Sequence, residues 1–307
     1  MKERHGLLAV FAAIAANALW GSSFMASKVV LAQCPPLTAT LIRFSIAIAL
    51  FAVVAAVRKA DFQIDSLKSR LAALVGLGIL GYTGLYTLQM TALKHITSSQ
   101  SAAIMLLAPV FTLILESVLK GAIKKREAVT TAVGLVGAAA ILSEQYKVDL
   151  SGIAFRGLVL TILASACLGV SVVQTKRLLA PSEGRAGFTV FNLTFYSLVI
   201  GVLGLLPFVV LEQVHGVRAV PLDLKFWLWL TYLGVVCSVA AFLMWNWAIK
   251  HVAPPVVAVA MYLKTPVALG LGAAILREKL TPVFYAGTSL ILGTLFINHL
   301  LQTREAK

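Results

Sequence analysis

Long runs of apolar residues, separated by short polar links, are the main pattern along this chain. A helix needs about 20 mostly apolar residues to cross a bilayer. Ten runs approach or exceed this length, and the fifth is the shortest. We number the predicted transmembrane spans 1 to 10; they cover residues 7–25, 37–57, 71–93, 101–119, 128–142, 153–175, 188–211, 226–249, 255–276 and 283–301.

The composition indicates a helical membrane protein. Of the 307 residues, 60% are hydrophobic and only 12% are charged, and the mean hydropathy is +0.92. Soluble domains usually carry about 25% charged residues, and they cannot bury this much apolar side chain. A transmembrane barrel would show segments of about ten residues in which apolar and polar positions alternate. The predicted fold class is therefore all-α, a polytopic membrane protein with ten transmembrane helices.

The basic residues lie mainly in the links, where they help to set the topology and contact anionic lipid headgroups. The net charge of +14 therefore does not indicate nucleic-acid binding. With the N-terminus inside the cell, the inner segments hold 16 Lys and Arg, and the outer links hold 7. We therefore expect both termini to be cytoplasmic, in the inner or plasma membrane. Lys2 and Arg4 before an apolar run resemble a signal peptide, but the run continues through Met25, which favours a first span.

The chain contains a weak internal repeat. Residues 92–95 (ALKH) match residues 248–251 (AIKH), 156 positions later, and Gly21 matches Gly169, 148 positions later. Each unit holds five spans, and because five is odd, the second unit must enter the membrane from the opposite side. Inverted repeats of this kind build many secondary transporters. The two predicted repeats cover residues 1–146 and 147–307.

Several short motifs resemble one transporter family. They are NALWGSSF at 17–24 followed by Lys28, LIRF at 41–44, LAPVF at 107–111, and REKLT at 277–281 followed by Gly287 and Gly293. Together they resemble the drug/metabolite transporter superfamily of the EamA type, and within it the ten-span exporters of aromatic and neutral amino acids (YddG-like). The resemblance implies a central cavity bounded by spans 1, 3, 4, 6, 8 and 9, with spans 2 and 7 moving.

The two halves depart from each other within this pattern. Ala122 stands where the second half has Glu278, and Leu168 stands opposite Trp20. Asn192 lies near the position that corresponds to Arg43. The motif's glutamate is therefore not needed in both halves, and we do not predict it as a substrate ligand.

Spans 3 and 8 each carry a stripe of polar and aromatic residues at spacing i, i+4 and i+7, which places them on one helical face. The residues are Tyr82, Tyr86 and Gln89 in span 3, and Ser238, Phe242 and Trp245 in span 8. One interpretation is two facing walls of a substrate cavity; the other is helix packing through hydroxyl hydrogen bonds. For Trp245, an aromatic belt at the membrane interface is a further alternative.

Span 1 adds two candidates for the same cavity. Asn17 lies at mid-depth, with Trp20 on the same face. A buried amide can bind a polar substrate or bridge to a neighbouring helix. The indole of Trp20 can stack on an aromatic substrate or serve as a packing residue.

Lys264 is the outlier among the predicted spans, because it falls almost at the centre of span 9. A lysine there costs about 2.5–3.5 kcal/mol on insertion scales. Pro266 lacks the N–H that would bond the Tyr262 carbonyl, and Pro109 does the same in span 4, so both predict helix kinks. A cation beside a broken helix at the midplane suits an anionic substrate group. The alternative is a lysine held by a carbonyl or a tyrosine for structural reasons.

The remaining charged residues of the spans are less informative. Arg43 lies about 9 Å from the end of its span, at about 1.5 Å per residue, so it can snorkel to the headgroups. Glu116 lies one turn from a span end and Glu278 lies in a link. Acids are thus nearly absent at depth, which favours a facilitator or exchanger without tightly coupled proton movement.

The apolar spans, the inverted repeat and the candidate cavity favour a secondary transporter or exporter of small metabolites that works by alternating access. The family resemblance implies aromatic or neutral amino acids as substrates. A membrane-embedded enzyme, a channel and a partner subunit without carrier activity remain alternatives. We find no zinc-protease motif, nucleophile elbow or aspartate cluster, so we predict no enzymatic activity. Cys34, Cys167 and Cys237 lack metal or redox spacing. We expect no cofactor or metal, no nucleic-acid partner, and a monomer that binds a small-molecule substrate in the lipid bilayer.

Overall fold

The computed structural model of the chain describes residues 2–59, 62–119, 152–181, 186–214, 220–221, 223–251 and 260–305, with a few isolated positions between 121 and 140. Within these residues the regular structure is entirely helical. Seven of the described helices are long and apolar enough to cross a membrane: Leu7–Leu31, Pro36–Val57, Leu71–Ala92, Ser98–Leu119, Phe155–Leu179, Val190–Val214 and Leu224–His251. The prediction of an all-α, multi-pass membrane protein is confirmed.

These seven helices fall in predicted spans 1–4 and 6–8, whose numbers we keep. Two shorter apolar helices, Ala260–Ile275 and Pro282–Gly293, fall in spans 9 and 10, and the helix of span 10 continues to Glu305. A further helix of six residues, Ile64–Ser69, precedes span 3. Most of span 5 and the first residues of span 9 lie outside the described residues.

Two spans contain a π-helical segment, Ile79–Gly84 in span 3 and Tyr232–Ala240 in span 8. In span 8 the Ser238 hydroxyl donates to the Leu233 carbonyl at 2.9 Å. Such segments are rare in helices and occur frequently at functional sites.

Spans 4 and 9 are interrupted just before a proline. A short 3₁₀ segment, Met105–Leu107, precedes Pro109, and a turn at Leu263 precedes Pro266. Because proline has no N–H to donate and its ring crowds the preceding turn, the helix cannot continue unchanged through these positions. The irregular backbone lies where the sequence predicts kinks.

Two carboxylates bind the N-termini of neighbouring helices. The Glu278 side chain accepts from the Ser98 N–H at 2.8 Å, the Ser98 hydroxyl at 2.7 Å and the Ser99 N–H at 3.0 Å. Glu212 likewise accepts from the N–H groups of Leu37 and Thr38 at 3.1 and 2.8 Å. A carboxylate suits this position because the first N–H groups of a helix have no partner within it and carry partial positive charge.

We expect Glu278→Gln to destabilise the protein, because the amide replaces one acceptor oxygen with a donor and removes the charge. The loss is expected to be about 1.5–3 kcal/mol, the range for hydrogen bonds to charged groups. Thermal unfolding in detergent measures it. The matched control is Glu116→Gln, since Glu116 meets Lys176 only at 3.9 Å with both side chains partly exposed; such pairs contribute about 0–1 kcal/mol. Equal shifts in the two variants would contradict the capping role.

Close helix packing depends on glycine where spans 3 and 7 cross. A Cβ added at Gly201 would overlap the Cβ of Tyr82, and one added at Gly78 would lie 2.5 Å from Ile200. The Thr83 hydroxyl donates to the Gly201 carbonyl at 2.8 Å, so the two backbones are in near contact. Small residues at helix crossings are typical of membrane proteins, because close backbone approach there replaces the hydrophobic effect.

The outward surface of the bundle is apolar. Large side chains that are more than half exposed include Phe11, Val53, Leu203, Val210 and Leu228. An exposed apolar surface of this extent is costly in water and suits lipid contact.

Candidate functional site

A cavity lies in the middle of the helix bundle and holds about 660 Å³ of empty space, counting the space at its mouth. Its walls come from six spans, for example Trp20 of span 1, Met105 of span 4, and Leu168 of span 6. Spans 3, 8 and 9 complete the walls, and spans 2 and 7 contribute no lining residue among those described.

Seven of the nine residues proposed from the sequence line this cavity. They are Trp20, Tyr82, Tyr86, Gln89, Phe242, Trp245 and Lys264. The structure therefore brings together side chains that are up to 244 residues apart in the chain.

The other two candidates, Asn17 and Ser238, lie outside the lining. The Asn17 amide is fully buried and donates to the Ala13 carbonyl of its own helix at 2.9 Å. Its carbonyl oxygen has no hydrogen-bond partner among the described residues. Ser238 is also fully buried, and its hydroxyl accepts from the Arg43 Nε at 2.8 Å. Both side chains therefore contact other parts of the bundle.

Aromatic rings form most of the cavity wall. Trp20 meets Phe242 and Trp245 edge-to-face, with ring centroids 5.7 and 5.4 Å apart. Tyr82 meets Phe242 in the same way at 5.1 Å. Edge-to-face ring pairs at these distances contribute more stabilisation than the burial of their apolar surface alone. Trp245 is only 4% exposed, so its position does not match an aromatic belt at the membrane interface.

The Trp20 indole is fixed by a hydrogen bond to span 8. Its Nε1 donates to the Cys237 carbonyl at 3.1 Å, inside the π-helical segment. The same carbonyl lies 3.5 Å from the Arg43 Nη2. A π-helical turn displaces the carbonyls from their ordinary α-helical partners. This irregular segment thus orients a ring of the cavity wall.

Lys264 contributes the charge of the cavity wall. It is 3% exposed, and it begins the helix Lys264–Ile275 immediately after the break at Leu263. Among the described residues, no side chain or carbonyl forms a hydrogen bond or ion pair with its ammonium group. Gly21 makes room for this segment, since a Cβ there would lie 2.5 Å from the Lys264 carbonyl. The ammonium therefore lies in the cavity without a partner from the described chain.

Arg43, which can snorkel by its position in the sequence, is instead buried inside the bundle. It is 2% exposed, and its guanidinium lies 5.0 Å from the ring centre of Tyr86 and 5.6 Å from that of Phe44. Together with its bond to Ser238, these contacts hold a cation directly behind the cavity wall. A guanidinium over an aromatic face is a favourable cation–π arrangement.

Four polar residues of the wall were not predicted: Ser23, Ser171, Thr175 and Asn246. The repeat carries a signal for one pair, because Ser171 lies 148 positions after Ser23, the offset that relates Gly169 to Gly21. Asn246 donates to the Thr194 hydroxyl at 2.8 Å, so its amide is oriented by span 7. The described residues contain no group of three or more His, Cys, Asp or Glu side chains that could hold a metal ion.

Known proteins similar to this chain are mostly transporters by name. An uncharacterized transporter of Archaeoglobus fulgidus is 25% identical over 281 residues, 91% of this chain and 94% of the relative. A probable terminal-alkyne amino-acid exporter of Streptantibioticus cattleyicolor is 26% identical over 304 residues, covering 97% and 96%. A probable amino-acid metabolite efflux pump of Salmonella typhimurium is 26% identical over 305 residues, covering 97% and 95%.

The fold is also known from a solved structure, described only as the crystal structure of a protein. The two chains superpose with a TM-score of 0.68 at 18% identity, and each is covered completely. The sequence profile of the EamA-like transporter family matches residues 7–143 and 155–299, which is most of the chain. The chain therefore belongs to the EamA-like transporter family.

Proposed function

We propose that the protein is a secondary transporter that exports small metabolites, chiefly aromatic or neutral amino acids, by alternating access through the central cavity. The observation that carries this proposal is an aromatic cavity with a buried ammonium group, Lys264, that has no partner among the described residues, in a member of a transporter family. An aromatic wall suits an apolar side chain, and a buried cation suits a carboxylate. Two relatives named as an amino-acid exporter and an amino-acid metabolite efflux pump support the substrate class.

We further propose ten transmembrane helices in two inverted repeats, residues 1–146 and 147–307. Two glycine contacts support this arrangement. Gly21 of span 1 approaches the Lys264 carbonyl, and Gly169 of span 6 approaches the Ala108 carbonyl at 2.8 Å from an added Cβ. Gly169 follows Gly21 by 148 positions, and Lys264 follows Ala108 by 156. Span 1 of the first repeat thus packs against span 9 of the second repeat. Span 6 of the second repeat packs against span 4 of the first repeat through the equivalent positions.

The interrupted helices support the same repeat. Residues 79–84 of span 3 correspond to 235–240 of span 8 at the offset of 156, and both ranges lie in π-helical segments. The two segments matched by the family profile, 7–143 and 155–299, are also similar in length to the proposed repeats.

The proposed site consists of the seven predicted lining residues, with Asn17 and Ser238 as supporting residues behind the wall. Lys264 binds an anionic group, and Trp20, Tyr82, Tyr86 and Phe242 contact the apolar part of the substrate. Movement of spans 2 and 7 against the other spans would open the cavity to either side. We propose no enzymatic step, no nucleic-acid partner and a monomeric state.

Counterflow into proteoliposomes tests the function. Vesicles loaded with one unlabelled amino acid are expected to accumulate labelled amino acid transiently and saturably, with the strongest response for aromatic and neutral side chains. Flux that rises linearly with concentration and shows no counterflow would indicate a channel. Chemical conversion of the solute would indicate an enzyme.

We expect both termini to lie on the cytoplasmic side, because the inner segments then hold 16 Lys and Arg against 7 in the outer links. A cysteine added after Lys307, in a variant without native cysteines, should resist a membrane-impermeant maleimide in intact cells and react after permeabilisation. A cysteine in the link around Lys147 should react in intact cells. Labelling of the terminal cysteine in intact cells would contradict the proposed orientation.

We also expect transport without tightly coupled proton movement. None of the described residues that line the cavity is Asp or Glu, and Glu116 faces Lys176 instead. Carriers driven by protons usually place an acid at depth. Counterflow should therefore be unchanged when a protonophore collapses the pH gradient. Uphill accumulation driven by a pH gradient, and lost in Glu116→Gln, would contradict this prediction.

A further inference from the structure

The described lining of the cavity contains one charged side chain, the ammonium of Lys264. A second cation, Arg43, lies behind the lining residue Tyr86 and donates to Ser238. No carboxylate is present among the described lining residues. The charge at and behind the described wall is therefore positive, and no carboxylate of that wall neutralises it.

The acids near the ends of the described spans are engaged elsewhere. Glu278 accepts three hydrogen bonds at the start of span 4, and Glu212 does the same for span 2. Glu116 lies 3.9 Å from the Lys176 ammonium, with 30% of its side chain exposed. Each of these carboxylates already has a cation or N–H partner. They are therefore not placed to bind a positively charged group in the cavity.

From this charge distribution we propose that the site recognises its substrates by the carboxylate and apolar part alone, so that aromatic monocarboxylates without an amino group are substrates as well. This inference rests on the proposed transport function and names the substrate class of the same cavity. An amino acid is then one member of a wider class of organic anions.

The two charged groups of an amino acid have unequal partners in this cavity. The carboxylate meets Lys264, which is buried and has no partner in the part of the chain that the structure describes, and an unpaired buried charge is strongly unfavourable. The ammonium meets only neutral acceptors, such as the amides of Gln89 and Asn246, and aromatic faces. It is also repelled by Lys264, and this repulsion is stronger in an environment of low dielectric constant than in water. Removing the ammonium should therefore cost little affinity, whereas removing the carboxylate should cost much.

Three ligands with the same phenyl group separate these contributions: L-phenylalanine, 3-phenylpropionate and phenethylamine. Their binding is measured by calorimetric titration of the purified full-length protein in detergent, which avoids the passive diffusion of weak acids and amines through vesicles. We expect 3-phenylpropionate to bind at least as tightly as phenylalanine. Phenethylamine should bind at least about tenfold more weakly, because it lacks the carboxylate that meets the Lys264 ammonium.

Two lysine variants provide the matched comparison. In Lys264→Met the preference for 3-phenylpropionate over phenethylamine should disappear, and any remaining heat reports partition into the micelle. Lys250→Met removes an exposed lysine from the end of span 8 and should leave the preference unchanged. Lys264→Gln replaces the first variant if Lys264→Met does not fold, and the three titrations of the wild-type protein stand without either.

The outcomes distinguish this inference from the proposed function. Binding of 3-phenylpropionate that depends on Lys264, without binding of phenylalanine, supports the inference and contradicts the assignment to amino acids. Phenylalanine binding with no binding of 3-phenylpropionate, or with phenethylamine as tight as phenylalanine, overturns the inference and leaves an amino-acid transporter. Failure of all three ligands to bind overturns it as well.

Discussion

Lys264→Met is expected to lower the transport of carboxylate-bearing substrates by at least about tenfold while the protein stays folded. Methionine retains much of the length of lysine and suits an apolar environment, so the helix Lys264–Ile275 should form unchanged. The variant lacks the cation that meets the substrate carboxylate, and a charged hydrogen bond contributes about 1.5–3 kcal/mol. Counterflow in proteoliposomes measures transport, and size-exclusion chromatography in detergent measures folding.

Two further variants distinguish an anion site from a structural lysine. Lys250→Met alters an exposed lysine of span 8 and should transport at the wild-type rate. Lys264→Arg should restore little transport, because a guanidinium is broader and planar and would have to fit beside Trp20 and Tyr82 in the cavity wall. Lys264→Met that transports at the wild-type rate and apparent affinity would assign Lys264 a structural role.

The fold class could be predicted from the sequence because lipid imposes one strong rule, that a spanning segment must satisfy its own backbone. The rule identifies which segments cross the membrane, but it does not define the residue at which each helix ends. Span 1 was predicted to end at Met25, whereas the helix continues to Leu31. A polar residue such as Lys28 ends an apolar run in the sequence, but it does not interrupt helical hydrogen bonds.

The helical face predicted most of the cavity residues of spans 3 and 8. A face defined by i, i+4 and i+7 assumes an uninterrupted α-helix, but both spans contain a π-helical segment. Tyr82 lies inside such a segment and still lines the cavity, whereas Ser238, inside the other, accepts a hydrogen bond from Arg43 and does not. The periodicity of the sequence gives no indication of such a segment.

Arg43 shows a different limit of sequence reasoning. Its distance from the end of span 2 follows from the sequence, but that distance does not say which neighbour is nearest. Its partner Ser238 lies 195 positions away in the chain, and the aromatic face of Tyr86 lies in another span. A cation with polar and aromatic partners inside the bundle need not extend to the headgroups.

The internal repeat also indicates which positions of span 6 line the cavity. The offset of 148 relates Trp20, Ser23 and Phe24 of span 1 to Leu168, Ser171 and Val172 of span 6, and all six residues line the cavity. In the sequence, the pair Trp20 and Leu168 is a departure between the two halves of the motif. Equivalent positions can line one cavity with different side chains, so the repeat predicts location better than it predicts chemistry.

Gly201→Val is expected to have the largest effect on folding of any single substitution considered for this protein. An added Cβ at Gly201 would overlap the Cβ of Tyr82 and lie 3.3 Å from the Gly78 carbonyl. Both atoms belong to or adjoin the backbone of span 3, so they cannot move aside as the end of a flexible side chain would. Spans 3 and 7 would have to separate, which breaks the bond from Thr83 to the Gly201 carbonyl and displaces Tyr82 from the cavity wall.

Overpacking of this kind usually costs about 1–3 kcal/mol, and a backbone clash falls at or above the upper end of that range. The matched control is Gly270→Val in the helix of span 9. Gly270 is exposed, and an added Cβ there would meet none of the described atoms within 4 Å. Both substitutions place the same β-branched residue inside a helix, so differences in helix propensity cancel. We expect Gly270→Val to keep the wild-type unfolding temperature and Gly201→Val to lower it strongly or to abolish the monodisperse peak in detergent. Equal behaviour of the two variants would show that the contact between spans 3 and 7 does not limit stability.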